Sequence, residues 1–149
     1  MRFIAHRGNI FGPRPEYENN IDYMWHAYDV CRGLECDVQS YNDKLYFGHD
    51  EPQEEVDVSL MTMQNVFCHA KDLTAMLMMI DMKNVHCFWH QEDTITLTNK
   101  GFVWCYPGYY PVHEKAIWLD LQDAELPKDK TGIWGVCGDK YKYEYEVYR

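Results

Sequence analysis

The chain has 149 residues, of which 46% are hydrophobic and 26% are charged, a composition typical of a globular protein and not of a disordered one. This length predicts one domain over residues 1–149 with a single hydrophobic core. The net charge of −10 argues against duplex nucleic acid as a partner, although a few local cations are enough to bind a small phosphate ester.

The six cysteines indicate a reducing compartment, because none of them form a CxxC pair and most lie inside apolar runs. The five in such runs are Cys36, Cys68, Cys87, Cys105 and Cys137. A disulfide framework is the alternative, although it is more usual in shorter chains. No run reaches the ~18 apolar residues of a membrane span, and His6 and Arg7 interrupt any signal-peptide core. We therefore predict a cytoplasmic protein without a membrane span.

Seven short apolar runs predict β-strands. They cover residues 2–6, 33–39, 66–71, 85–90, 102–106, 116–120 and 132–137. An extra strand at 44–48 is joined to the second strand by a turn at Asn42 and Asp43. Residues 141–148, where tyrosines alternate with charged residues, are interpreted as either an eighth strand or a closing helix.

Two segments between these strands have the apolar spacing of helices. Asn19 or Asn20 can cap the first helix, and Gly33 ends it. Asp72 can cap the second helix. The apolar face of the first helix contains Ile21, Met24, Tyr28 and Cys31. The Met-rich face of the second helix, interpreted as plain core, contains Leu73, Met76, Leu77 and Ile80.

Strands that alternate with helices predict a parallel sheet covered on both faces. Because successive side chains of a strand point to opposite faces, Glu35 and Asp37 point away from Cys36. Each central strand thus has one apolar face and one polar or aromatic face, which favours a closed barrel with functional groups in its mouth. A regular barrel of this kind needs ~250 residues. We therefore predict an α/β fold, a trimmed TIM-type (β/α) barrel with several helices shortened or replaced by loops.

Four short motifs occur in order in the first fifty residues, with side chains suited to phosphodiester chemistry. They are His6-Arg7-Gly8, Glu18-Asn19-Asn20, Glu35-Cys36-Asp37 and His49-Asp50. Their order and spacing resemble the glycerophosphodiester phosphodiesterase family, which is related to the phosphatidylinositol-specific phospholipases C. The resemblance covers residues 3–71 and fades beyond them, so the chain looks like a short, divergent member.

The resemblance implies a hydrolase of lipid metabolism that acts on a small glycerophosphodiester-like substrate. His6 and His49 would be the general base and acid, roles that suit imidazole because its pKa lies near neutrality. One of the two could instead be a buried core histidine. Arg7 and Lys71 would contact the substrate phosphate, Arg7 through charge-assisted hydrogen bonds.

Glu35 and Asp37 lie two residues apart on one predicted strand, so their carboxylates share a face. Two such charges repel each other unless a cation lies between them, and Mg²⁺ or Ca²⁺ suits oxygen ligands. A structural ion pair between Arg7 and Glu35 is the alternative. In the family that the chain resembles, the third metal ligand is a glutamate that lies two residues before a lysine. This chain has Lys71 at the position of that lysine and His69 at the position of the glutamate. Imidazole is a poor ligand for Ca²⁺ and an acceptable one for Mn²⁺ or Zn²⁺.

Further polar and aromatic residues at or near predicted strand ends are candidates for the substrate pocket, with core filling as the alternative for the aromatic ones. They are Glu18, Asn19, His90, Trp104, Tyr106 and Asp120. Two other functions remain open: a lyase that stops at a cyclic phosphate, and a catalytically silent module that binds a phosphorylated ligand. No oligomeric state follows from the sequence.

Overall fold

Seven strands lie side by side in parallel, in the order β6-β5-β2-β1-β10-β9-β8, at the centre of the computed structural model. The structure describes residues 1–121 and 124–142. The strands are β1 Arg2–His6, β2 Leu34–Tyr41, β3 Lys44–Phe47, β4 Glu54–Glu55, β5 Val66–Ala70, β6 His86–Trp89, β7 Ile95–Leu97, β8 Val103–Cys105, β9 Ala116–Asp120 and β10 Gly135–Gly138. The helices are α1 Ile21–Cys31, α2 Val58–Met61 and α3 Leu73–Ile80.

The seven parallel strands overlap the seven predicted runs, so the predicted strand positions are confirmed. The extra strand is also confirmed, because β3 pairs antiparallel with the second half of β2. The turn between them contains Asn42 and Asp43, both with positive φ, a conformation that these two residue types tolerate better than most others. The prediction for 141–148 falls mostly on residues 143–149, which lie outside the described residues.

The predicted trimmed TIM-type (β/α) barrel is wrong. Within the described residues, ten strands form a curled sheet that makes a half-barrel, and the sheet is mixed because β3, β4 and β7 run antiparallel to their neighbours. The three helices in this part of the chain have only 11, 4 and 8 residues. The connection of residues 106–115 contains Pro107 and Pro111 and is at the ~10–12-residue lower limit for a crossover helix, and it forms none. Alternation of side chains identified the faces of the strands but did not determine how the sheet closes.

Side-chain caps start both predicted helices where the sequence placed them. The Asn20 side chain accepts a hydrogen bond from the backbone N–H of Tyr23 at 3.1 Å, and Asp72 accepts one from Ala75 at 2.7 Å. The first helix ends at Arg32, which has φ 55°, and not at Gly33. Gly33 has a different role, because a Cβ there would lie 2.6 Å from the carbonyl oxygen of Phe3, so glycine allows β1 and β2 to approach.

The interpretation of the Met-rich face of α3 as plain core is wrong for three of its four residues. Leu73, Leu77 and Ile80 are 51%, 58% and 46% exposed, whereas the helix buries Ala75 and Met79. The buried pair is four residues apart and occupies one face of the helix. The leucine and isoleucine residues lie on the other faces, which the sheet does not cover.

In the part of the chain that the structure describes, no helix has the length and apolar character needed to cross a bilayer.

Strand side chains separate into two buried layers, as their alternation predicted. Cys36, Cys68 and Cys87 join the layer that contacts α1 and α3. Phe67 and Phe88 join a second layer, whose other buried side chains come from β1, β8, β9 and β10. All six cysteines are buried and free, which agrees with their interpretation as small core residues.

Burial of His86 predicts a pH dependence of stability. Burial and nearby Lys100 lower the pKa of His86 from 6.5 to about 4. The unfolded chain therefore binds a proton at His86 before the folded chain does, so the unfolding free energy is unaffected above pH 6.5 and falls as the pH drops toward 4. Both proteins should lose unfolding free energy between pH 7 and pH 4, and we expect the loss to be about 2–3 kcal/mol smaller in His86→Phe than in the wild type. A phenyl ring would keep the ring contacts with Phe67 and Phe102, whose centroids lie 4.4 and 5.2 Å from His86, and the hydrogen bond of His86 to Thr98 would be lost at both pH values. Urea unfolding at both pH values measures this; equal losses in the two proteins would contradict it.

Candidate metal centre and substrate cavity

A cavity of about 410 Å³ opens at the carboxyl ends of the parallel strands. Most of its side chains come from the last residues of parallel strands or from residues just after them, the position where parallel sheets present functional groups. Glu18 and His49 come from loops, and Glu35 lies near the start of β2. Ten of the thirteen predicted site residues line it: His6, Arg7, Glu18, Glu35, His49, His69, Lys71, His90, Trp104 and Tyr106. The structure therefore brings most of the predicted site together.

The other three predicted residues lie behind or beside the cavity. Asp37 and Asn19 are fully buried and bind each other twice. The Asn19 Nδ2 donates to Asp37 Oδ2 at 3.0 Å, and the backbone N–H of Asp37 donates to Asn19 Oδ1 at 2.9 Å. Asp120, the last residue of β9, is not part of the lining, and its carboxylate accepts a hydrogen bond from Lys142 Nζ.

Three buried side chains from two adjacent strands form a cluster that could hold a metal ion. Glu35 and Asp37 come from β2, and His69 of β5 lies beside Asp37 in the strand register. Their ligand atoms all lie within 4.8 Å of one another. The His69 Nδ1 is 3.4 Å from Asp37 Oδ1 and 3.7 Å from Glu35 Oε1. Two carboxylates and one imidazole therefore converge on one point.

Two carboxylate oxygens in this cluster support the fit to a cation. Glu35 Oε2 and Asp37 Oδ1 are buried, and neither accepts a hydrogen bond of good geometry from the described residues. Leaving a charged oxygen buried without a partner is costly. The nearest ammonium, Lys71 Nζ, is 3.7 Å from Asp37 Oδ1. A divalent ion would satisfy both oxygens, and oxygen donors with one imidazole are a common ligand set for such ions.

The two carboxylates of the cluster have opposite pKa shifts. Burial, together with the neighbouring charge of Asp37, raises the pKa of Glu35 to about 7. Burial also acts to raise the pKa of Asp37, but His69 and Arg7 outweigh it and hold that pKa below its usual range. Two adjacent carboxylates without a metal between them are expected to behave in this way.

Arg7 pairs with Asp37, and not with Glu35 as the alternative interpretation proposed. Its Nε lies 2.8 Å from Asp37 Oδ2, and its NH1 donates to Glu18 Oε2 at 3.1 Å. The buried Asn9 donates a hydrogen bond from its Nδ2 to the second carboxylate oxygen of Glu18, Oε1, at 2.8 Å. These contacts fix the guanidinium at the edge of the cavity, and its remaining N–H groups can donate to an anion.

Asp139 is a functional candidate that the sequence analysis missed. Its Oδ1 lies 2.7 Å from Nδ1 of His6, and Asn9 donates to the same oxygen at 2.8 Å. Burial acts to lower the pKa of His6, but Asp139 and Glu35 outweigh it, so the pKa is raised. A signal was available, because Asp139 lies two residues beyond the last predicted strand; in the structure it directly follows β10, as His90 directly follows β6.

His49 reaches the cavity on a loop that depends on a glycine. Gly48 has φ 147°, and a Cβ there would lie 2.0 Å from the carbonyl oxygen of Glu51, so no other residue fits this turn. The loop places the His49 Nδ1 2.7 Å from Asp50 Oδ1. The His49 side chain is 39% exposed and lines the same cavity as His6.

Ring stacking fixes the orientation of the imidazole in the metal cluster. His69 lies between Phe88 and His90, with centroids 4.8 and 5.0 Å away and planes within 10° and 19° of parallel. Burial lowers the pKa of His69, which favours the neutral ring that a metal requires. Trp104 is 1% exposed and packs on Phe88 at 4.6 Å, so it fills the core as well as forming part of the wall.

The chain matches no family model, no curated protein and no solved structure. The resemblance carried by the four motifs therefore remains a prediction.

Proposed function

We propose that this chain is a metal-assisted phosphodiesterase that hydrolyses a small glycerophosphodiester-like substrate. One observation supports this most strongly: a single cavity is lined by His6, His49, Arg7 and Lys71, next to the buried cluster that could hold a metal. A proton donor, a proton acceptor, two cations and a metal ligand set are what phosphodiester cleavage requires. A cytoplasmic location is part of the proposal and fits the six free cysteines.

Arg7 and Lys71 would bind the phosphate. The Arg7 guanidinium is held by Asp37 and Glu18, so little side-chain entropy is lost when its free N–H groups bind an anion. Both cations are about one-fifth exposed, at 20% and 22%, and both line the cavity. They offset the negative charge of Glu35 and Asp37 that would otherwise repel a phosphodiester.

His6 and His49 would transfer the protons. Asp139 binds Nδ1 of His6, which leaves Nε2 to exchange a proton with the substrate. One histidine would take the proton from the attacking hydroxyl and the other would donate a proton to the leaving alcohol. The bond from phosphorus to the leaving oxygen breaks as the new phosphorus–oxygen bond forms. A water molecule then opens the cyclic phosphate with the two histidines in exchanged roles.

Glu35, Asp37 and His69 would hold the divalent ion, which when bound supplies charge stabilisation at a phosphoryl oxygen. Mg²⁺ and Ca²⁺ suit the two carboxylates. Mn²⁺ and Zn²⁺ are possible because of the imidazole of His69. We expect Mn²⁺ to bind at least about tenfold more tightly than Ca²⁺, since imidazole is a poor calcium ligand. Calorimetric titration of the metal-free chain measures this, and a preference for Ca²⁺ would contradict the assignment of His69.

Turnover and product analysis test the proposed function. The chain is incubated with each metal and with two p-nitrophenyl esters: that of glycerol 3-phosphate, which has a hydroxyl next to the phosphate ester, and bis(p-nitrophenyl) phosphate, which has none. Glycerol 3-phosphate as the final product, seen by ³¹P NMR, supports a hydrolase. A cyclic phosphate that persists would indicate the lyase. Phosphate binding with no turnover on either substrate would indicate the silent binding module and contradict the proposal.

The contact between His6 and Asp139 predicts that Asp139→Asn lowers kcat by up to about 10⁴-fold, the loss found when the orienting carboxylate of a catalytic triad is replaced by its amide. Since Asp139 raises the pKa of His6, we also expect the limb of the pH–rate profile that reports His6 to move to lower pH. Asp120→Asn is the matched control, because Asp120 ends the neighbouring strand but does not line the cavity. Equal effects of both substitutions would contradict the role of Asp139.

A further inference from the structure

The cavity has two chemically different walls. Its charged side chains and the histidines His6, His49 and His69 come from β1, β2 and β5 and from residues that follow β1, β3, β5 and β10. The lining contributed by β6, β8, β9 and the residues after them holds no carboxylate, ammonium or guanidinium group among the described residues. This second wall, called here the aromatic wall, is formed by His90, Gln91, Tyr106, Pro107, Leu119 and Leu121, with Trp104 behind them.

Two rings of the aromatic wall, His90 and Tyr106, belong to a column of rings that passes through His69 of the metal cluster. Phe88, His69 and His90 follow one another at 4.8 and 5.0 Å between centroids. Tyr106 continues the column, with its ring centroid 3.9 Å from that of His90 and its plane tilted by 40°. Phe88 is fully buried, whereas Tyr106 is partly buried against the second core layer and lines the cavity, so Tyr106 is the end of the column that faces the cavity.

We propose that one alcohol group of the substrate carries an uncharged, flat aromatic ring that binds against Tyr106, Pro107 and Leu121. This inference rests on the proposed function, because it assumes that the phosphate lies between Arg7 and Lys71. A flat, uncharged ring would extend the column by offset stacking, the arrangement that aromatic pairs prefer. It would also bury apolar surface against the proline and the leucine without leaving a charge unpaired.

A quaternary ammonium group is the competing occupant, because aromatic rings also bind cations. Cation recognition uses several ring faces directed at one point. In the column, however, His69 is covered by rings on both sides, and His90 lies between His69 and Tyr106. The stacking therefore leaves few free ring faces to surround a cation, and the aromatic wall carries no carboxylate to balance its charge.

Calorimetric binding of phosphate monoesters to the full chain with Mn²⁺ tests this inference without requiring turnover. The ligands are inorganic phosphate, glycerol 3-phosphate, phosphocholine, phenyl phosphate and adenosine 5′-monophosphate. We expect phenyl phosphate to bind at least about fivefold more tightly than phosphocholine or glycerol 3-phosphate. The comparison of phenyl phosphate with the adenosine nucleotide shows whether the ring belongs to a simple aryl group or to a nucleobase, since ribose places the base farther from the phosphate.

A tyrosine series assigns the preference to the aromatic wall. Tyr106→Ala should weaken phenyl phosphate at least about fivefold and leave inorganic phosphate within about twofold, while Tyr106→Phe keeps the preference. Tyr109→Ala is the control, because Tyr109 is 58% exposed and does not line the cavity. Phosphocholine binding as tightly as phenyl phosphate to the wild type would overturn the inference, whatever the variants do. So would a preference that Tyr106→Ala leaves unchanged, or no phosphate binding at all.

Failure of this inference and failure of the proposed function are separable. If phenyl phosphate is preferred but no phosphodiester is turned over, the aromatic wall binds as inferred and the catalytic proposal fails. If phosphodiesters are turned over without any preference for an aromatic alcohol, the catalytic proposal stands and the inference fails.

Discussion

Replacing His6 by alanine is expected to lower kcat by about 10²–10⁴-fold, the range found when a general acid or base is removed. KM should change little, because the phosphate contacts of Arg7 and Lys71 remain. His6 is fixed at Nδ1 by Asp139 at 2.7 Å, and its Nε2 lies 3.8 Å from Glu35 Oε2. The measurement is steady-state hydrolysis of an alkyl ester of glycerol 3-phosphate with Mn²⁺, because loss of either a general base or a general acid slows its cleavage.

The leaving group distinguishes the two histidines. A good leaving group such as p-nitrophenolate needs little protonation, whereas an alkyl alcohol needs a full proton from the general acid. Loss of the general acid should therefore cost much more with an alkyl ester than with a p-nitrophenyl ester. Loss of the general base should cost about the same with both. Comparing His6→Ala and His49→Ala on the two esters assigns each role.

His26→Ala is the control for both substitutions, because His26 lies on the exposed face of α1 and does not line the cavity. Circular dichroism and urea unfolding confirm that each variant is folded. If neither cavity histidine lowers the rate by more than the His26 control does, the acid–base proposal is wrong. If only His6→Ala lowers the rate on the alkyl ester, His49 is a binding residue at the rim.

Much of this site follows from local sequence because parallel strands place their carboxyl ends together. Glu35 and Asp37 share a face by alternation alone, and Lys71 directly follows the end of β5. Seven apolar runs are enough to position the central strands, since each is long enough to show a period of two. Side-chain caps such as Asn20 and Asp72 act within three residues and can be identified from sequence.

The parts that were missed depend on contacts between distant residues. His6 and Asp139 are 133 positions apart, and they meet only because β1 and β10 pair in parallel. The curvature of the sheet has the same origin, since an alternating pattern fits a closed barrel and a half-barrel equally well. Short elements such as β4, with two residues, and α2, with four, do not show enough of a period to be recognised.

The second large effect is expected for Asp37→Asn, which should lower the unfolding free energy of the metal-free chain by about 3–5 kcal/mol. Asp37 is fully buried, and three basic groups surround its carboxylate. Arg7 Nε lies 2.8 Å from Oδ2, while His69 Nδ1 and Lys71 Nζ lie 3.4 and 3.7 Å from Oδ1. An asparagine keeps the shape but removes the buried charge that Arg7 and Lys71 pair with, and only the contact of Arg7 with Glu18 is kept. Urea unfolding with a chelator present measures the loss.

The same substitution separates a metal centre from a purely structural ion-pair network. A metal present at about 100 times its Kd stabilises the folded chain by about 2.7 kcal/mol, and Asp37→Asn should remove most of that gain together with the calorimetric binding signal. Asp29→Asn is the matched control, since Asp29 is 68% exposed and its contact with Arg32 is 3.8 Å long, so its effect should stay within about 0.5 kcal/mol. If Asp37→Asn destabilises the metal-free chain but gains as much stability from Mn²⁺ as the wild type does, the carboxylate serves the ion pairs alone. If Asp37→Asn lowers both the stability of the metal-free chain and the stability gained from Mn²⁺, one carboxylate holds Arg7 and Lys71 and also binds the metal. Because Arg7 and Lys71 are the proposed phosphate contacts, metal binding would then be coupled to anion binding in this cavity.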